Sequence, residues 1–310
     1  MSLALPQDVQ ARPATRQDLD TLAQLFRERD LALSQPPEAA AEFLRWVWGL
    51  PYVDLERDSL VLEQDGALQA FAQLVRDPAE GGPLRSEWCV HPSADLDALG
   101  AALLTWTAAS RAGRPGAAEV RTAIHSVDRQ ARALVELLGY RRVRTSWDMG
   151  KELFDGEAAT DPPEGIQIRT FRTGVDEHTM YQVNEAAFRD HWDHRDRPYE
   201  SYAADTYDSS DWDPTLAYLA FAGEVPAGEA VAFEFERSGY IGSLGVLREF
   251  RGRGIGKALL RRAFADLAAR RQRTVELSVD AASPTGAVAV YESVGMTPIR
   301  EFVTYDGPEA

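Results

Sequence analysis

Apolar positions along the chain fall into two successive series of strand-like and helix-like segments, separated by a stretch that has neither period. In the first series, 9–12 reads as a short strand, and Thr15-Arg16-Gln17-Asp18 as a capping box that opens a helix with Leu19, Leu22, Leu25 and Phe26 inward. Pro36-Pro37 precedes a second helix over 38–48, with Phe43, Leu44, Val47 and Trp48 on one side. Runs at 59–63 and 67–75 flank Asp65-Gly66, a hairpin signal. A strand at 87–91, a helix at 98–111, a strand at 118–124, a helix at 129–138 and a strand at 140–149 follow.

Residues 151–165, with Asp155-Gly156 and Asp161-Pro162-Pro163-Glu164-Gly165, have linker composition. The series then begins again. It runs through a strand at 166–171, helices at 176–188 and 198–205, and strands at 216–222 and 227–236 across Gly223-Glu224-Val225-Pro226. A strand at 240–246, a helix at 258–270, a strand at 274–280, a helix at 285–293 and a last strand at 297–305 complete it. Val90 and Val246 lie 156 positions apart, as do Gly139 and Gly295, and Leu103-Leu104 registers with Leu259-Leu260. A constant offset points to duplication. The expected organisation is therefore a first domain over 1–150, a linker over 151–165 and a second domain over 166–310.

Composition narrows the function without naming it. At 310 residues, 45% of them hydrophobic and 26% charged, the chain has room for two cored domains. A formal net charge of −16 argues against sequence-independent binding to nucleic acid or to an anionic membrane, both of which need a basic footprint. It suits a cationic acceptor, and equally plain solubility. The lone Cys89 excludes an intrachain disulfide framework and a cysteine-based zinc cluster. The opening Met-Ser-Leu-Ala-Leu-Pro-Gln-Asp lacks a basic region followed by an apolar core, and no apolar run is long enough to span a bilayer. A cytoplasmic protein is expected.

The chemistry centres on Arg251-Gly252-Arg253-Gly254-Ile255-Gly256-Lys257-Ala258, placed between a strand and an amphipathic helix with Leu260, Phe264 and Leu267 at helical spacing. Strand, glycine turn, helix is an anion site, because unpaired N–H groups gather at the positive end of the helix dipole. Glycine is needed where a Cβ would hold a phosphate off the backbone. A Walker loop would require glycine at 251 and Ser or Thr at 258, and a dinucleotide fingerprint from Gly252 would require glycine at 257. Arg251, Ala258 and Lys257 stand there instead.

The pattern Arg-x-x-Gly-x-Gly resembles the pyrophosphate loop of the GNAT superfamily of acyl-CoA N-acyltransferases. A second landmark, Val279-Asp280-Ala281-Ala282-Ser283-Pro284 leading to Val290-Tyr291-Glu292-Ser293-Val294-Gly295-Met296, is similar to the strand, turn and Tyr-Glu-x-x-Gly helix of that family. With Leu244-Gly245-Val246, the resemblance covers most of 166–305. The layout looks like the tandem subgroup that includes mycothiol synthase. The fold implied is α/β: two tandem GNAT-like domains, each a mostly antiparallel mixed sheet flanked by helices.

That resemblance implies acetyl-CoA as co-substrate and no metal. It places the pyrophosphate on the backbone from Gly252 to Lys257, with Arg251, Arg253 and Lys257 adding charge around Gly254, Ile255 and Gly256. Pantetheine would lie between the strands at 240–246 and 274–280, against Leu244, Gly245 and Val246, where a backbone N–H also faces the thioester oxyanion. Ser283 stands where the family usually has Asn, and either caps the next helix or bonds pantetheine. Tyr291 would be the general acid, a phenol donating to the departing thiolate.

A general base is less clear. The mycothiol-synthase-like pattern has a carboxylate at the start of the fourth strand, where this chain has Tyr240. Glu229, Glu234, Glu236 and Glu276 are the remaining candidates; Glu234 and Glu236 share one strand face and Glu229 lies on the other. Glu234 is taken as the base. His191 and His194 fall where the family shapes its acceptor pocket, and with Asp190 have metal-ligand spacing; Trp192 and Trp212 are pocket walls or core. In the first half, Asp95, Leu96, Ala98 and Val135 register with Arg251, Gly252, Gly254 and Tyr291, so that half is expected to be degenerate and non-catalytic.

The expected activity is acetyl transfer from acetyl-CoA to a primary amine, small-molecule or peptide, by direct attack in a ternary complex. No cysteine lies in the second half to carry the acyl group. The alternative is a non-catalytic acyl-CoA sensor with this fold. The protein would be a monomer or homodimer, with neither nucleic acid nor membrane as partner.

Overall fold

Each half of the computed structural model, which describes residues 5–76, 82–112, 119–209, 211–236 and 238–308, alternates strands of mixed sheet with the helices packed on them. The first half runs β1 (Val9–Arg12), α1 (Leu19–Ala32), α2 (Ala40–Gly49), α3 (Leu55–Asp58), β2 (Ser59–Gln64), β3 (Ala67–Arg76), β4 (Leu84–Val90), α4 (Leu96–Ala112), β5 (Val120–His125), α5 (Arg129–Leu137) and β6 (Arg141–Glu152). The second runs β7 (Ile166–Thr170), α6 (Glu177–Phe188), α7 (Tyr199–Thr206), β8 (Ala217–Ala222), β9 (Val225–Glu234), β10 (Gly239–Val246), α8 (Ile255–Ala269), β11 (Thr274–Asp280), α9 (Ala287–Ser293) and β12 (Thr297–Asp306). Residues 1–4, on which the leader reading partly rests, and position 118 of the expected strand at 118–124 lie outside the described residues.

The two halves are not the two compact units. One unit comprises Met1–Ser146 with Arg300–Ala310, the other Trp147–Ile299. Their strand orders are β1-β2-β3-β4-β5-β12 and β6-β11-β10-β9-β8-β7. The halves have thus traded last strands, and Phe302 to Asp306 pair antiparallel with His125 to Arg121. The division expected at 150 and 166 follows the chain, whereas the units follow this exchange.

In the second unit, the strand period sorts β9 onto two layers. Even-numbered Ala230 and Ala232 join Leu259, Ala263 and Phe264 of α8 in one core. Odd-numbered Val231 joins Leu219 and Met180 of α6 in another. Parallel pairing of β10 with β11 is confined to Gly239↔Val275 and Tyr240↔Glu276. Past that point the two strands separate, and a cleft opens between them. A bulge in β10 between Ile241 and Ser243 shifts its register against β9.

Candidate active site

The cleft has a volume of about 440 Å³ and is walled by the end of β10, the glycine turn, the end of β11 and α9. Leu244, Gly245, Val246, Arg251, Gly252, Gly254, Ile255, Gly256, Lys257, Ser283 and Tyr291 all line it. Of the expected site residues, Arg253 and Glu234 do not.

The turn takes the conformation that its glycines permit. Gly252 and Gly254 have φ of 77° and 82°, and Gly254 is the N-cap of α8. No side chain caps that helix, so its first N–H groups face the cleft with the positive dipole end behind them. A Cβ on Gly256 would reach 3.6 Å from Val246, 3.8 Å from Leu244 and 3.8 Å from Val290, so its hydrogen keeps the cleft floor low.

Arg251 lines the cleft, but its guanidinium is already employed. Nε donates to the Val246 carbonyl at 3.0 Å, Nη2 to the Ala187 carbonyl at 2.9 Å and Nη1 to Asp190 at 2.7 Å. It braces the end of β10 to the end of α6. Arg253 stacks over the Phe250 ring at 5.3 Å. Ser283 does not cap α9, whose N-cap is Gly286; its Oγ lies 2.9 Å from Thr285 Oγ1 at the cleft wall.

Tyr291 is only 8% exposed and turns that remainder to the cleft. Burial, with a smaller contribution from the Glu229 charge, pushes its pKa up to about 12, so the phenol keeps its proton at neutral pH. Such a group is a donor, not a base.

Glu234 is not at this site. It lies on the α8 side of β9 and bonds Arg270 at 3.0 Å and Gln272 at 3.2 Å. Arg270 follows the last residue of α8, so this pair sits about 20 Å of helix from the glycine turn. Glu236 is exposed, and Glu276 stands at the paired root of β11.

Asp280 is the carboxylate that lines the cleft, and Glu229 stands behind its wall. Glu229 is fully buried on the α6 side of β9, opposite Gly245 in the register. A Cβ on Gly245 would come within 2.9 Å of Glu229 Oε1 and of the Ala187 Cβ, so the absent side chain leaves the acid room directly behind the cleft wall. Ser243 Oγ donates to Oε2 at 2.7 Å and Asn184 Nδ2 to Oε1 at 3.0 Å. Burial pushes its pKa up to about 7, and the two donors only partly offset that. The signal in the sequence was a single charge inside Ala227-Gly228-Glu229-Ala230-Val231-Ala232, an otherwise apolar strand. Its partners on β10, Ser243 and Gly245, became visible only with the bulge in that strand.

His191 lines the cleft, whereas His194 approaches Glu185 and Asp196, and Asp190 is held by Arg251. The trio with metal-ligand spacing is therefore not brought together. Trp212 packs against Phe171 and Tyr207, with ring centroids at 5.3 and 5.0 Å, as core.

Residues 178–296 match the model of the Acetyltransferase (GNAT) family. A mycothiol acetyltransferase of Streptomyces griseus is 35% identical over 250 residues, covering 76% of each chain. The chain belongs to the GNAT acetyltransferase family. A second mycothiol acetyltransferase, from Catenulispora acidiphila, is 33% identical over 76% of this chain and 75% of its own length. Among solved structures, a GCN5-related N-acetyltransferase from Sphaerobacter thermophilus superposes with a TM-score of 0.83 at 32% identity, over 99% of this chain and 98% of that one. A tandem GNAT protein from the clavulanic acid biosynthesis pathway shares the fold, with a TM-score of 0.69 at 17% identity over 97% of this chain and all of its own. This GNAT protein is an acetyl-CoA-dependent acetyltransferase. Among its described residues, no helix is long and apolar enough to cross a membrane.

Proposed function

We propose that the cleft on β10, α8 and α9 carries the reaction, transferring acetyl from acetyl-CoA to a primary amine by direct attack in a ternary complex. Coenzyme A pyrophosphate rests on the uncapped start of α8, and pantetheine runs along the unpaired edge of β10 beyond Tyr240. Names of relatives at 32–35% identity, mycothiol acetyltransferase and N-acetyltransferase, support a nitrogen acceptor. Attack by the amine on the thioester carbonyl gives a tetrahedral intermediate whose oxyanion is met by backbone N–H groups of β10. Glu229 accepts the proton that the amine loses; Tyr291 gives its proton to the departing thiolate. The roles divide because burial leaves one group able to ionise near neutrality and the other not.

The observation that carries this reading is the placement of both groups about one wall: Tyr291 lines the cleft, and Glu229 stands directly behind Gly245, which lines it too. The test is kcat against pH for Glu229→Gln. Glu229 must be ionised to act as base, so the native enzyme loses rate as pH falls through about 7. The variant is expected to be slow and to lack this acidic limb. A variant that keeps the native rate and limb removes Glu229 from the mechanism.

A further inference from the structure

Among the described residues, nothing basic balances Glu229. The groups that set its proton affinity are burial, Ser243 and Asn184, with no arginine, lysine or histidine among them. Tyrosines face it: Tyr202 of α7, Tyr207 just beyond α7 and Tyr291 of α9 all feel its charge. The carboxylate therefore depends on two neutral donors from two different elements. Asn184 is the only one supplied by α6, the helix whose end Arg251 ties to β10. Ser243 reaches Glu229 because the bulge beside Gly242 sets Ser243 and Gly245 on one face of β10.

We propose that Asn184 is a positioning residue for the reaction: with Ser243 it clamps Glu229, one donor on each carboxylate oxygen, and so fixes both the aim and the proton affinity of the base. The inference rests on the reading of Glu229 as that base. The geometry gives each donor a separate oxygen, so neither substitutes for the other. A donor to the charged form favours ionisation, and removing one costs more when the acid is buried and has no cation to compensate.

The experiment is carboxyl-carbon NMR of enzyme labelled at the glutamate side-chain carboxyl, with the Glu229 signal assigned by its loss in Glu229→Gln. It is paired with kcat against pH and with acetyl-CoA titration. In Asn184→Leu the Glu229 midpoint is expected to rise by about one pH unit. The acidic limb of kcat should rise with it, so that the rate at pH 7 drops about fivefold and recovers toward pH 9, while the acetyl-CoA Kd stays native. Asn184→Gln, which keeps an amide donor, should restore most of the midpoint. Ser243→Ala should move the midpoint the same way from a different element, so the clamp is tested even if the Asn184→Leu chain fails to fold. A midpoint unmoved in both variants overturns the clamp and leaves Glu229 standing as base. A midpoint that moves while the kcat profile stays put overturns Glu229 as the base, and the catalytic role of Asn184 with it.

Discussion

At equivalent positions of the two halves, the same fold is open in one and filled in the other. Where Leu244 borders the cleft of the second half, the first has Trp88, whose ring sits 3.3 Å from a Cβ built on Gly100, the counterpart of Gly256. Leu134, the counterpart of Val290, closes the same spot at 2.7 Å. The start of α8 is uncapped, but Asp95 Oδ1 accepts the Ala98 N–H of α4 at 3.0 Å. A side-chain carboxylate thus takes up an N–H of the kind that the second half leaves uncapped. Val135 replaces the phenol of Tyr291. Even the acid has shifted strands: Gln73 occupies the position of Glu229 and donates to half-buried Glu87, which occupies that of Ser243, at 2.5 Å. The lesson is that an active cleft is a set of omissions. Missing Cβ atoms, a missing cap and a missing indole open it, and the first half has each of these places filled.

The contrast can be broken or sharpened at four positions. Tyr291→Phe, the step nearest to Val135, is expected to lower kcat by ~10²–10⁴-fold with acetyl-CoA affinity unchanged, read by steady-state kinetics and calorimetry. Trp88→Ala should cost about 3–5 kcal/mol of stability in denaturant unfolding, because it empties a packed site, yet leave kcat of the folded enzyme alone. Loss of turnover without loss of stability would show that the first half takes part in chemistry. Gly254→Ala imports the first half's residue at a φ of 82°, which costs about 1–2 kcal/mol and should weaken acetyl-CoA binding roughly tenfold in a titration. Asp95→Ala strips a cap and should lower stability by about 1 kcal/mol, with no gain of coenzyme A binding by the first half.

Legibility in the sequence followed how locally each feature is determined. The glycine turn and the Tyr291 segment could be read because each is a short run whose residues act on one another: φ, helix start and dipole are fixed within a few positions. The residues that stand in for two of those glycines in the first half, Leu96 and Ala98, were readable for the same reason. The base proposed here was not. Alternation placed Glu234 and Glu229 on opposite faces of one strand without choosing between them, and the bulge that turns Ser243 and Gly245 toward Glu229 has no such local mark. Arg251 looked like a phosphate ligand because its charge is visible and its carbonyl partners, Ala187 and Val246, are not. The traded last strands were invisible for a further reason: an apolar alternation says that a strand pairs, never with which neighbour.

That trade has a consequence for how the protein could have evolved. The first half cannot simply be shed, because removing residues 1–146 would strip Phe302–Asp306 of the edge they are stitched to and leave a raw ladder of unpaired amides. A gene cut at the 151–165 segment would likewise sever each product from a strand that completes its sheet. With final strands traded, each half is a permanent tenant of the other: whatever its chemistry, it is not free to leave.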